Sequence, residues 1–183
     1  MHFLRMLSYS EPAWSNDHPI LHRILQKPRA TIVDFGCGLA QTSISIAKAL
    51  QRPDIDISLY LADIPTLRME FLVWLCKKWD IPCQISKCTR ENPIPDFPHC
   101  DIFIAREVFE HLHNPLPYIE KMNLSLNDGG FLLTNINDHQ AEFMHVTPNL
   151  EAVRNRLKEL NFHEIKKHQF YQKFSLSRAS TIT

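Results

Sequence analysis

The stretch TIVDFGCGLAQTSISIAKAL, residues 31–50, decides how the rest of this chain is read. Its β-branched start (Thr31, Ile32, Val33) favours a strand, residues 35–40 form a glycine turn, and a helix begins near Thr42. The chain has only four glycines, and two of them, Gly36 and Gly38, lie one residue apart in this turn. Glycine there permits positive φ and lets a ligand come close to the backbone. The N–H groups of the turn and of the helix start are then expected to form a polar cradle.

Working outward, residues 1–29 read as a helical lead-in, with Ile20, Leu21, Ile24 and Leu25 at helical spacing and Pro28 closing the segment. Tyr9 and Trp14, before it, either cover a ligand or pack on the core. After the opening unit, ISLYLAD is a second strand that ends at Asp63. Leu67, Phe71, Trp74 and Leu75 follow at i, i+4, i+7 and i+8. This is the apolar face of a helix that stops near residues 79–82. Residues 83–86 make a short third strand, and the proline-rich stretch 91–98 is a loop. The run DIFIA, 101–105, has the continuous apolar character of a strand buried on both faces.

Glu107 to His111 start or cross a helix. Residues 116–126 form another, which Asn127-Asp128-Gly129-Gly130 is expected to stop. FLLTNI, 131–136, is the fifth strand. A loop over 138–148 leads to a helix over 150–160, two closing strands (162–168 and 170–177) and a loose tail, SRASTIT. Strands alternating with helices predict an α/β fold: a Rossmann-like, doubly wound, mainly parallel seven-stranded sheet with flanking helices. We expect one domain over 1–183, with the core of the site in 30–137 and a loop, helix and closing strands in 138–183.

Composition narrows the function. At 183 residues, 44% apolar and 22% charged, the chain is of ordinary globular type. Lys plus Arg equals Asp plus Glu, 20 each, so bulk charge draws it neither to nucleic acid nor to anionic lipid. The basic run 166–173 reads as a solvated strand face. No apolar run approaches the roughly 18 residues of a membrane helix, and no signal peptide is evident at the start. Five cysteines without a C-x-x-C pair fit a reduced, cytoplasmic chain.

Three features fall at the carboxyl ends of successive strands: the Gly36/Gly38 turn, Asp63, and Arg106 with Glu107. An acidic residue ending the second strand can accept hydrogen bonds from both ribose hydroxyls of an adenosine-bearing cofactor. A dinucleotide site would use G-x-G-x-x-G, and the third glycine fails here. With Asp34 preceding the turn, Asp34-Phe35-Gly36-Cys37-Gly38-Leu39-Ala40 resembles the first motif of class I S-adenosylmethionine-dependent methyltransferases. That motif is an acidic residue followed by G-x-G-x-G, with Ala40 in the third position. The resemblance continues through Asp63, DIFIAREVFEHL and LNDGGFLL, and spans about residues 30–137.

It implies S-adenosylmethionine as cofactor. Gly36, Cys37 and Gly38 would hold its amino-acid end, Asp34 would assist through water, and Arg106 would stand at the same rim. Asp63 would take the ribose, with Ile64 against the adenine. Where the family often has an acidic residue after strand three, this chain offers Cys88 and Thr89.

Glu107, Glu110 and His111 stand at i, i+3 and i+4, so on a helix they would share one face. His145, or His139, lies after strand five and could reach the same rim. Two carboxylates and one or two imidazoles suit a divalent metal ion. The segment is similar to the E-x-x-E-H of the benzoquinol and polyprenyl-catechol O-methyltransferases and of the small-RNA terminal 2′-O-methyltransferases. That similarity implies a metal holding vicinal oxygens near the methyl group. Without a metal, His111 or His145 is the candidate general base.

The neutral charge favours a small-molecule acceptor over RNA. The pocket needs a roof from residues 1–20, from the 138–148 loop or from a second subunit. Two other readings stay open: an enzyme using S-adenosylmethionine without methyl transfer, and a catalytically silent binding subunit of this fold.

Overall fold

The computed structural model describes residues 19–138 and 145–175. The chain enters through a short helix, α1 (Pro19–Ile24), and then lays down β1 (Arg29–Phe35), α2 (Gln41–Leu50), β2 (Asp56–Asp63), α3 (Leu67–Lys78) and β3 (Cys83–Lys87). A loop crosses to β4 (Cys100–Ala105), which is followed by a single 3₁₀ turn (Phe109–His111), α4 (Leu116–Ser125) and β5 (Leu126–Thr134). The described part closes with α5 (Glu151–Glu159), β6 (Phe162–Lys166) and β7 (Phe170–Lys173). Among these residues no helix is long and apolar enough to cross a membrane.

The seven strands form one sheet in the order β3-β2-β1-β4-β5-β7-β6. Strands β1 to β5 run parallel, and β7 pairs antiparallel with both β5 and β6. Strand order reverses between β1 and β4, and a doubly wound sheet opens its crevice at the carboxyl ends beside such a switch.

Alternation along each strand sorts the core into two layers. Ile32, Leu59, Leu61, Ile102 and Ile104 pack with Ile20 and Ile24 of α1, Ile44 and Ala47 of α2 and Leu72 and Cys76 of α3. Val33, Tyr60, Phe103 and Leu132 face the other way, onto Ile119 and Met122 of α4 and Val153 and Leu157 of α5. On that second face no helix joins β3 to β4. Phe97 from the connecting loop covers the gap, meeting Phe35, Tyr60 and Phe103 edge-on with centroids 5.6, 6.2 and 5.0 Å away.

Three sequence expectations change. NDGG does not stop α4. Instead Leu126 turns extended (φ −74°, ψ 122°), and β5 begins there, with a register shift against β4 absorbing the glycine stretch. The basic run 166–173 is only partly a solvated face. Phe170 and Tyr171 are buried, and Lys173 Nζ donates to the carbonyls of Asn123 and Leu126, satisfying oxygens at the end of α4.

The third change concerns α3. Its buried residues are Met69, Leu72 and Cys76, while Leu67, Phe71 and Trp74 lie exposed and Leu75 packs only partly against the core. At 100° per residue Leu67, Phe71 and Trp74 centre on the side opposite Met69, Leu72 and Cys76. The face the spacing picks out therefore points outward, and Met69, Leu72 and Cys76 meet the core instead.

Candidate cofactor and metal site

β1 ends in Asp34 and Phe35, and the backbone then reverses through two glycines with φ +66° (Gly36) and +56° (Gly38). Gly36 also meets a packing limit: a Cβ there would lie 2.5 Å from Val108 Cγ2. This loop thus sits directly on the E-V-x-E-H segment that follows β4. Ala40, in the third motif position, takes the left-handed conformation (φ 51°, ψ 32°) that a glycine would adopt without strain. Its methyl is buried among the residues of α2 and β1.

The N–H groups of the turn are not the open cradle the sequence predicts. Gly36 and Cys37 both donate to the Ala62 carbonyl (2.8 and 3.2 Å), and Ala40 donates to Cys37 (2.6 Å). These bonds lock the turn to β2. Gly38 N–H donates to Asp63 Oδ2 at 2.6 Å, and Ile64 N–H donates to Oδ1 at 2.7 Å. The carboxylate that ends β2 is thereby fixed beside the glycine turn, and each oxygen keeps a lone pair for a ribose hydroxyl. Ile64 is 57% exposed next to it. Cys88, whose N–H donates to the Asp63 carbonyl (2.8 Å), is buried at the same edge.

Asp34 is buried and accepts a 2.6 Å hydrogen bond from Ser43 Oγ. Burial pushes its carboxyl up to about 7, with Asp63 adding to the rise while the Ser43 hydroxyl and Arg106 oppose it. Arg106 also reaches Thr42 Oγ1 (3.4 Å). Ser43 and Thr42 belong to this polar edge, although the sequence reading did not include them. Their signal was weak, two hydroxyls in the first turn of a helix, where such residues are common.

Burial holds the Cys37 thiol far above its usual range and pushes Cys88 up to about 11. Neither thiol then offers a thiolate to an electrophilic methyl group near neutral pH.

The segment after β4 departs from a helix. Glu107 is left-handed (φ 53°), Val108 is irregular, and only residues 109–111 turn, as a 3₁₀ helix. Glu107 therefore does not share a face with Glu110 and His111. Its carboxylate accepts from Asn135 Nδ2, in a chain that runs on through Asn137 to His168 Nδ1 (2.6 and 3.0 Å).

Glu110 instead is fully buried and meets two imidazoles: one ligand atom each from Glu110, His111 and His145 lie within 4.8 Å of one another. Ligands that share one ion stand roughly 3–4 Å apart, so the spacing is close to a coordinating set. The imidazoles touch edge to face, with centroids 5.0 Å apart. His111 is exposed and His145 half-buried, so the cluster opens to solvent on one side.

His145 comes to this place through backbone pairing. Val146 and Thr147 N–H both donate to the Glu110 carbonyl (2.9 and 3.0 Å), and Thr147 Oγ1 donates to Leu112 (2.5 Å). His139, the other histidine considered, lies outside the described residues, as do Tyr9, Trp14 and the tail.

Sheet order, helix layers and the acidic–glycine strand end together define the class as a Rossmann-like methyltransferase fold. A methyltransferase-domain family profile matches residues 9–180, and the chain belongs to that family. No curated protein matches the sequence with significance.

Among solved structures, TehB of Haemophilus influenzae aligns with a TM-score of 0.61 at 16% identity, covering 92% of this chain and 65% of its own. A candidate class I S-adenosylmethionine-dependent methyltransferase of Listeria monocytogenes aligns with a TM-score of 0.61 at 14% identity, covering 86% and 58%. A SAM-dependent methyltransferase of Aquifex aeolicus gives 0.57 at 14% identity, covering 94% and 98%. At such identities the likeness speaks for the fold, and the chain spans less than two thirds of the length of the first two.

Proposed function

We propose that this protein transfers the methyl group of S-adenosylmethionine to an oxygen of a small-molecule acceptor, with a divalent ion held by Glu110, His111 and His145. One observation carries the reading. The Gly36 turn packs on Val108, so the cofactor edge and the Glu110–His111–His145 cluster occupy neighbouring positions on one strand-end rim.

The residues present fit both groups. Asp63, already oriented by two main-chain N–H groups, accepts from the ribose hydroxyls, and Ile64 offers an apolar wall to the base. Asp34 lies buried between the turn and Arg106, where its ionised form suits the positive charge of the amino-acid end. One carboxylate and two imidazoles suit a borderline ion such as zinc or manganese rather than calcium. When bound, the cofactor supplies an activated methyl group and the ion polarises the acceptor oxygen.

The chain's own task is alignment and desolvation: a rigid turn, a buried floor at Glu110, and His111 on the open side facing the acceptor. Zero net charge fits a small-molecule acceptor rather than nucleic acid, and five free thiols fit a reduced, cytoplasmic setting. A second reading rests on the exposure of His111, which in the absence of metal serves as general base.

Titration with S-adenosylmethionine, with and without a divalent ion, tests the whole. We expect binding that Asp63→Ala weakens more than tenfold. Equal affinity in the variant would refute the ribose assignment. Turnover of an identified acceptor that survives chelation would move the chemistry to the His111 base.

A further inference from the structure

The outer face of α3 is the feature that cofactor and metal leave unexplained. Leu67 is 80% exposed, Phe71 46% and Trp74 53%. The rings of Phe71 and Trp74 stack with centroids 5.6 Å apart, and Lys78 Nζ lies 5.0 Å from the Trp74 ring centre. Single exposed apolar residues need no explanation, but a contiguous row of large ones on the face opposite the core does.

We infer that this face is where a second copy of the chain docks, α3 against α3 and antiparallel about a two-fold axis. Area is the first reason. Leu67, Phe71 and Trp74, each about half or more exposed, form an apolar centre of the kind that a standard interface of roughly 800 Å² per partner buries.

Charge is the second. Leu67, Phe71, Trp74 and Lys78 are spaced 4, 3 and 4 apart, the spacing of a seam between two packed helices. Glu70 and Lys77, both exposed, lie seven residues apart along one flank of that seam. In an antiparallel pair the same flank meets itself, so Glu70 of each copy comes opposite Lys77 of the other, and the contact is made twice. A row that pairs its own opposite charges under a two-fold is complementary to itself.

Sedimentation velocity on the full chain over about 1–100 µM tests this, a range that includes the weak end of affinities for interfaces of standard size. The wild type is expected to dimerise. Trp74→Glu and, independently, Leu67→Glu should raise the dissociation constant at least tenfold while the circular dichroism spectrum holds. Glu70→Lys should weaken dimerisation several-fold, and Glu70→Lys combined with Lys77→Glu should restore it. A wild type that stays monomeric throughout, or a dimer indifferent to both Trp74→Glu and Leu67→Glu, overturns the inference. Lack of rescue by the double charge exchange overturns the antiparallel arrangement.

Discussion

The two halves of the site are built in opposite ways. On the proposed cofactor side, Asp34, Gly36, Gly38 and Ser43 come from one strand, turn and helix start, and the strand beside it adds Asp63. Backbone bonds to Ala62 and Asp63 hold that unit closed on itself. On the proposed acceptor side, His145 reaches Glu110 and His111 across 35 and 34 residues of sequence, held by Val146 and Thr147 on the Glu110 carbonyl. A strand–turn–helix run bonded to the adjacent parallel strand therefore organises the first half, and a clip between loops organises the second. If so, the halves should fail separately.

The largest effect tests that separation. His111→Ala removes one of the three proposed ligands and should weaken zinc or manganese binding about a hundredfold, while S-adenosylmethionine affinity stays within about twofold. Calorimetry with each ligand reads both numbers. A parallel loss of cofactor affinity would join the halves into one unit.

Gly36→Ala attacks the seam between them. It sets a methyl against Val108 at a left-handed position and should cost about 2–3 kcal/mol of stability, read by denaturant unfolding. In a cycle with Val108→Ala, the double variant should lose less than the sum of the two single losses, because the contact is cleared. Additive losses would mean that backbone strain alone sets the cost.

Asp34 sharpens the cofactor half through pH. Its carboxyl is raised to about 7, so the neutral form dominates below that value and the anion above it. Binding of a cationic ligand favours the anion, and affinity should therefore rise with pH, by up to about tenfold between pH 6 and 8. Stability of the unliganded protein runs the other way. The unfolded carboxyl ionises near 4, so the Asp34 contribution falls as pH climbs from about 4 to 7 and is level above that. Asp34→Asn should flatten both trends, and an unchanged slope in the variant would assign the titration to another group.

The smallest effect loosens only the clip. Thr147→Val keeps the shape but deletes the hydroxyl bond to Leu112, which should cost about 1 kcal/mol. Metal affinity should fall a few-fold, and cofactor affinity should not change.

Particular residues show what could be read early. The strand–turn–helix at 31–50 and the buried DIFIA strand were legible because their patterns are local: β-branched runs, paired glycines and uniform apolarity leave few alternatives. Asp63 was legible because the end of a strand beside the turn is fixed by the parallel register. Glu107 was misplaced because its backbone is left-handed, which breaks the i, i+3, i+4 face before it forms. The α3 face was misjudged because spacing measures how apolar a stripe is, and it does not say which stripe meets the sheet.

By itself, then, the sequence determined the order of strands and helices, the glycine turn and the two acidic strand ends, because these follow from short-range sterics and hydrogen bonding. Only the tertiary structure decided that Glu110, His111 and His145 converge without Glu107, and that α3 turns its larger apolar side chains outward. Both depend on contacts between segments far apart in the chain, where packing and backbone pairing override local pattern.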